Sequence, residues 1–288
     1  MSEFTWREPE SQEEVLAILS EGEQEPRLLA GGTAMGLMIQ QDMLAPCTLV
    51  SLRKLRREPE LASAWRDVDG TIHIGALATL RELERFEPLN GWAPVLVDAL
   101  RQIANPRIRN MATLGGHLAY AEPHLDLPPV LLAMGASVRI RSRDRERRIA
   151  LSELLQGYYS TTLDPNELIL EVIFPEQTRR WQGCYFRFTA AAADDWPMLG
   201  LASFIERDGP SVKDIRLVVS GICPAPTRLS VVEQMFRSDR LSPALIDQAA
   251  QIAGGQLEIY DDIRGSAWYK REILQVSIRR ALKHLTGL

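Results

Sequence analysis

Three cysteines in 288 residues, Cys47, Cys184 and Cys223, are too few and too scattered for a disulfide frame or a Cys-x-x-Cys metal site. They read as buried thiols of a reducing compartment. No apolar run approaches the roughly 20 residues needed to cross a bilayer. The opening M-S-E-F-T-W-R-E-P-E lacks the apolar core of a signal peptide, so the cytoplasm is the expected location. The net charge is −5 without a long basic block, and nothing points to nucleic acid. The dinucleotide fingerprint G-x-G-x-x-G is missing, as are the P-loop and the G-x-S-x-G nucleophile elbow. His73, His117, His124 and His284 are spread out. His117 and His124 flank Glu122 and Asp126, but Pro123 and the glycine turn before them suit a ligand cradle better than a metal site. No acid–base pair for hydrolysis stands out, so any catalysis rests on a bound cofactor.

What is present is a pair of glycine turns. Leu28–Ala34 reads L-L-A-G-G-T-A, and Met111–Pro128 reads M-A-T-L-G-G-H-L-A-Y-A-E-P-H-L-D-L-P. Each is a short apolar run, then Gly-Gly, then a small or polar residue. Glycine lets backbone approach a ligand closely, and successive N–H groups in such a turn make a concave anion site. Two such turns, 84 residues apart, could hold the two phosphates of one dinucleotide from both sides. Two tight turns after strands would look the same.

Along the chain, Ser11-Gln12-Glu13-Glu14 fits a capping box ahead of a helix that Gly22 ends. Arg27–Ala30 is a strand, Gly36–Gln41 a helix and Thr48–Leu52 a strand, which together make an α/β unit. The polar stretch Arg53–Asp69 is expected on the surface. Thr71–Gly75 alternates as a strand, Thr79 and Glu82 form a second capping box, and Trp92–Ile103 is an amphipathic helix. Leu125–Met134 is helical with Pro128 in its first turn. Ser137–Arg141 and Leu168–Phe174 are strands, with a charged hairpin tip at Arg141–Arg148. Past a boundary near Pro175–Trp181 come strands at Gly183–Thr189, Met198–Glu206 and Val212–Ser220, with a hairpin signal at Asp208-Gly209. Helices follow near Ser230–Arg237, Pro243–Ala253 and Ala267–Leu285.

From Thr113-Leu114-Gly115-Gly116-His117, with Ala119, Pro123, Asp126 and Pro129, the chain resembles the FAD-binding middle subunit of the molybdenum hydroxylases. That family includes carbon monoxide dehydrogenase and xanthine dehydrogenase. Ala30-Gly31-Gly32-Thr33 resembles its other FAD turn. Ile108-Arg109-Asn110, Glu167-Leu168-Ile169-Leu170 closing at Pro175, and Tyr185-Phe186-Arg187 with Asp194-Asp195 recur in order. So do Gly221-x-x-Pro224-x-Pro226-Thr227-x-Leu229 and Asp262-Ile263-Arg264-Gly265-Ser266-Ala267-x-Tyr269-Lys270-Arg271.

The resemblance implies an α+β chain. Residues 1–176 would form a two-subdomain α/β FAD-binding fold of the PCMH type, divided at about 55. Residues 177–288 would form a C-terminal three-stranded antiparallel sheet with helices. Ala30, Gly31, Gly32, Thr33 and Ala34, with Thr113, Leu114, Gly115, Gly116 and His117, would give backbone N–H groups to the pyrophosphate. Asp126 would accept hydrogen bonds from ribityl or ribose hydroxyls, where a plain helix N-terminal acid is the other reading. Ile169, Arg187 and Trp196 would lie near the flavin, in place of a surface cation for Arg187 and a core ring for Trp196. Ala34 and His117 depart from the usual residues, and Ala190–Ala193 replaces a more polar stretch. Tyr158 and Tyr159 either mark the approach of an acceptor or simply pack a loop. The implied activity is electron transfer. An iron–sulfur small subunit and a molybdopterin large subunit would be the partners, in a heterotrimer or a dimer of heterotrimers, because this chain has no cysteine cluster for iron–sulfur ligation. A stand-alone flavin reductase and a flavin-free scaffold are the other classes.

Overall fold

The computed structural model describes residues 4–21, 26–45, 47–176, 181–192, 195–209, 211–236 and 242–287. Gly22, the boundary at 177–180, Ala193, Asp194 and Arg237 fall outside them.

Strands Thr5–Arg7, Arg27–Leu29 and Thr48–Ser51 form a parallel sheet with the third strand in the centre. Parallel neighbours need crossovers, supplied by helices Gln12–Ser20 and Thr33–Gln40. Ser11 caps the first helix by accepting from the Glu14 amide at 3.3 Å. The Glu14 carboxylate returns to the amide of Glu10 and not to that of Ser11, so the expected box is shifted by one residue. Val15, Leu16 and Leu19 then pack against Leu52, Leu55 and Leu61. The second helix starts at Thr33, three residues before the expected Gly36, because Gly32 turns left-handed at φ 70° and admits the helix at once.

The stretch at 53–69 lies largely at the surface, as expected, but it is not irregular. It holds a 3₁₀ turn at Arg53–Arg57, a helical turn at Pro59–Ala62 and the strand Ala64–Arg66. Leu55 and Leu61 are buried, and each fully buried leucine stabilises by roughly 1.5–3 kcal/mol. Two leucines among many charges anchor an otherwise exposed segment.

The second sheet runs Ala64–Arg66, Ile72–Gly75, Leu168–Phe174, Ser137–Arg141, Glu146–Ala150 in spatial order, antiparallel throughout. All of Leu168–Phe174 is buried, because the strand is covered on both faces. Leu168 and Leu170 meet the first sheet's cluster, while Ile169, Val172 and Phe174 meet the helices Pro94–Gln102 and Leu127–Ala133. A bulge between Ile169 and Glu171 breaks the alternation at the strand's start. The expected helix Trp92–Ile103 is present as Pro94–Gln102, and a separate short helix, Glu87–Trp92, precedes it. Pro94 pushes Ala93 out of helical geometry, to φ −146°.

Strands Trp181–Phe188, Leu199–Asp208 and Ser211–Ser220 form the third sheet, and the short strand Thr227–Arg228 adds an edge. Gly209, at φ 60°, makes the hairpin. One face puts Tyr185, Ala202, Phe204 and Val218 against the middle region. The other packs Leu201, Leu217 and Val219 against helices Ser230–Met235, Pro243–Ala253 and Ala267–Thr286. Among the described residues, no helix is long and apolar enough to cross a membrane.

Candidate cofactor site

The two glycine turns meet. A Cβ on Gly31 would lie 1.9 Å from the Met111 carbonyl oxygen, so the first turn rests directly on the backbone entering the second. A Cβ on Gly116 would come within 3.7 Å of the Ala30 methyl. Both turns line one cavity of about 690 Å³, within the usual range for cofactor pockets. Of the fourteen residues expected at the site, thirteen line it: Ala30, Gly31, Gly32, Thr33, Ala34, Thr113, Gly115, Gly116, His117, Asp126, Ile169, Arg187 and Trp196. Leu114 does not. Its side chain is fully buried in the core, and its amide donates to Ala78 at 3.0 Å.

The turns differ in their donors. No acceptor among the described residues meets the amides of Gly31, Gly32, Thr33 or Ala34. The cap position, Gly32, has no side chain to supply one. At the second turn every amide from Leu114 to His117 is taken. Leu114 and Gly115 donate to Ala78 and Ala76, Gly116 to Thr113 Oγ1 at 3.2 Å, and His117 to the Thr113 carbonyl at 2.9 Å. The four amides after Thr113 thus have partners within the chain, whereas those of the first turn are open. Gly115 is required because a Cβ there would strike Ala76 at 2.6 Å.

Asp126 stands at the start of helix Leu127–Ala133 but makes no cap. A capping carboxylate accepts from the second or third helical amide, and here those residues are Pro128 and Pro129, which have none. Its Oδ1 accepts instead from the Tyr185 hydroxyl at 2.8 Å and Arg187 Nε at 2.9 Å. Burial raises the Asp126 carboxyl to about 6, while Arg187 and Tyr185 pull it down. Arg187 is no surface cation: its side chain is buried and also donates to the Asp195 carbonyl. Trp196 is not a core ring, being 38% exposed.

Tyr120 and Tyr159 complete an aromatic flank that the glycine motifs did not indicate. Tyr120 lies 5.3 Å from Tyr159 and 6.5 Å from Trp196. The Tyr159 amide donates to Ala121, and both residues are left-handed, at φ 53° and 48°. Burial pushes the His117 imidazole down to about 3, and its Nε2 has no hydrogen-bond partner among the described residues. His124 Nδ1 meets Glu122 Oε1 at 2.6 Å, while its Nε2 likewise has no hydrogen-bond partner among the described residues.

Helix Thr33–Gln40 reads T-A-M-G-L-M-I-Q, yet none of its residues is fully buried. Met35, Leu37 and Met38 face the cavity. Apolar walls, unmatched amides and a buried acceptor fit an elongated organic cofactor with an anionic segment and free hydroxyls. The fold and site thus define a nucleotide-cofactor protein.

Comparison with known proteins gives the family. Residues 2–177 match the model described as the FAD binding domain in molybdopterin dehydrogenase, and residues 184–285 match the CO dehydrogenase flavoprotein C-terminal domain. A 6-hydroxypseudooxynicotine dehydrogenase complex subunit alpha from Paenarthrobacter nicotinovorans is 32% identical, over 97% of this chain and 93% of that protein. The glyceraldehyde dehydrogenase medium chain of Sulfolobus acidocaldarius is 28% identical, over 98% of each. A structure of carbon monoxide dehydrogenase from Hydrogenophaga pseudoflava superimposes with a TM-score of 0.94 at 26% identity, covering 99% of this chain and 98% of that one. The chain belongs to the FAD-binding medium-subunit family of the molybdenum hydroxylases. FAD is its cofactor, and its relatives are oxidoreductase subunits.

Proposed function

We propose that this chain is the electron-transfer flavoprotein of a heteromeric molybdenum hydroxylase. It takes electrons from an iron–sulfur subunit and passes them to an external acceptor, while a molybdopterin subunit hydroxylates the substrate. The convergence of both glycine turns on one cavity, in a chain whose relatives are named medium chains and complex subunits, carries this reading. The cytoplasm is the compartment that goes with it.

FAD, when bound, supplies the acceptance and release of electrons, which no side chain here offers. The amides at Gly31–Ala34 hold its pyrophosphate, where the start of helix Thr33–Gln40 favours negative charge. Gly115 and Gly116 let the second turn close from the other side. Asp126 accepts from hydroxyls of the cofactor. Ile169, Arg187 and Trp196 form the wall at the flavin end, and His117, neutral at pH 7, adds no competing charge.

Purification of the native complex tests the reading. FAD near one per chain, with iron–sulfur and molybdopterin subunits co-purifying, is the expected result. A chain that carries FAD but purifies alone and turns over a substrate without partners would overturn it.

A further inference from the structure

Behind the cavity wall lies a buried polar layer. Tyr185 and Arg187 are two residues apart on one strand and so project from the same face. Both donate to the same oxygen of Asp126. Tyr185 is not on the cavity wall, and its hydroxyl occupies a slot that Gly200 keeps open. A Cβ at position 200 would lie 2.6 Å from that hydroxyl and 2.7 Å from Ser220 Oγ. Arg187 also donates to the carbonyl of Asp195, the residue next to Trp196.

We infer that Tyr185 and Arg187 are positioning residues: they clamp Oδ1 of Asp126 so that Oδ2 is presented to hydroxyls of FAD, and Arg187 ties the Trp196 wall to the same carboxylate. This rests on the reading that Asp126 contacts the cofactor. A clamped carboxylate has given up its rotational freedom before the ligand arrives, which raises affinity. Both donors also hold it ionised against burial, so that it is an acceptor at neutral pH.

The test is a titration of the full apo-chain with FAD, followed by flavin fluorescence from about pH 5.5 to 8. Tyr185→Phe is expected to raise the FAD dissociation constant about tenfold at neutral pH. It is also expected to move the pH below which binding weakens upward by about one unit. Gly200→Ala, which displaces the hydroxyl without removing it, gives the same changes in smaller measure. In an Asp126→Asn background, Tyr185→Phe has no further effect on FAD affinity. Should Tyr185→Phe fail to fold, Arg187→Lys carries the test. It keeps the charge, loses the fork that reaches Asp126 and Asp195 together, and weakens binding by a similar factor. An equal effect of Tyr185→Phe in both backgrounds, or an unmoved pH profile, overturns the positioning role. Parent-like FAD affinity in Asp126→Asn alone overturns the contact between Asp126 and FAD itself.

Discussion

The turn at Ala30–Ala34 leaves its amides without partners, whereas the turn at Thr113–His117 satisfies all of those from Leu114 onward. The letters A-G-G-T and L-G-G-H look alike, but the glycines fall in different places. In the first turn Gly32 is the helix cap itself. In the second the cap is Thr113, and Gly115 and Gly116 are the second and third helical residues. A glycine cap bares donors, while a threonine cap consumes one and leaves its glycines to thin the helix. A Gly-Gly pair states where backbone comes close, and its offset from the cap states whether that backbone keeps open donors. The two sides of the cavity thereby differ: open amides stand on one, and the Asp126 carboxylate, held by Tyr185 and Arg187, stands on the other.

Breaking the contact between the turns has the largest expected effect. Gly31→Ala places a methyl against the Met111 backbone, which cannot rotate away. The expected result is loss of bound FAD and about 3 kcal/mol or more of stability, read by flavin content and chemical denaturation. Retention of both would show that the turns are not in contact.

The acceptor side can be examined through pH. The folded chain holds the Asp126 proton up to about 6, against an ordinary 3.8. Its stabilising contribution is therefore full below about pH 4 and is lost as pH rises through about 6, on the order of 3 kcal/mol at most. The melting temperature of the parent, measured without FAD, should fall relative to that of Asp126→Asn across this window. A constant difference would place the carboxyl in an ordinary environment.

Thr113→Ala removes the cap that distinguishes the second turn and should cost about 1 kcal/mol in denaturant unfolding. A neutral outcome would mean that the Thr113 hydroxyl does no capping. Gly36→Ala is the smallest. It lies within the first turn's helix with nothing within 4 Å of a new Cβ, so it should stabilise by roughly 0.5–1 kcal/mol with FAD affinity intact.

Much of this was legible from residue order. Strands such as Leu168–Phe174, the Thr79–Glu82 capping box and the three C-terminal helices follow from local pattern, because their signals are dense and close in sequence. The regular structure at 53–69 was not legible, because Leu55 and Leu61 are isolated among charges and only tertiary packing buries them. Of the site, the glycine turns are legible as letters, but their donor state depends on distant carbonyls at Ala76 and Ala78. One signal was available and unused: Asp126 precedes Leu127-Pro128-Pro129, which bars it from capping and frees its carboxylate. Its partners Tyr185 and Arg187 come from a strand some 60 residues on, and no spacing rule reaches that far.

FAD is proposed to lie between the two turns. Gly116 faces the cavity, and the nearest atom to a new side chain is the Thr113 hydroxyl, at 2.9 Å. FAD titration of Gly116→Val tests this placement. An affinity at least about a hundredfold weaker is expected, with stability within about 2 kcal/mol of the parent. Unchanged FAD affinity in a folded Gly116→Val protein would contradict it.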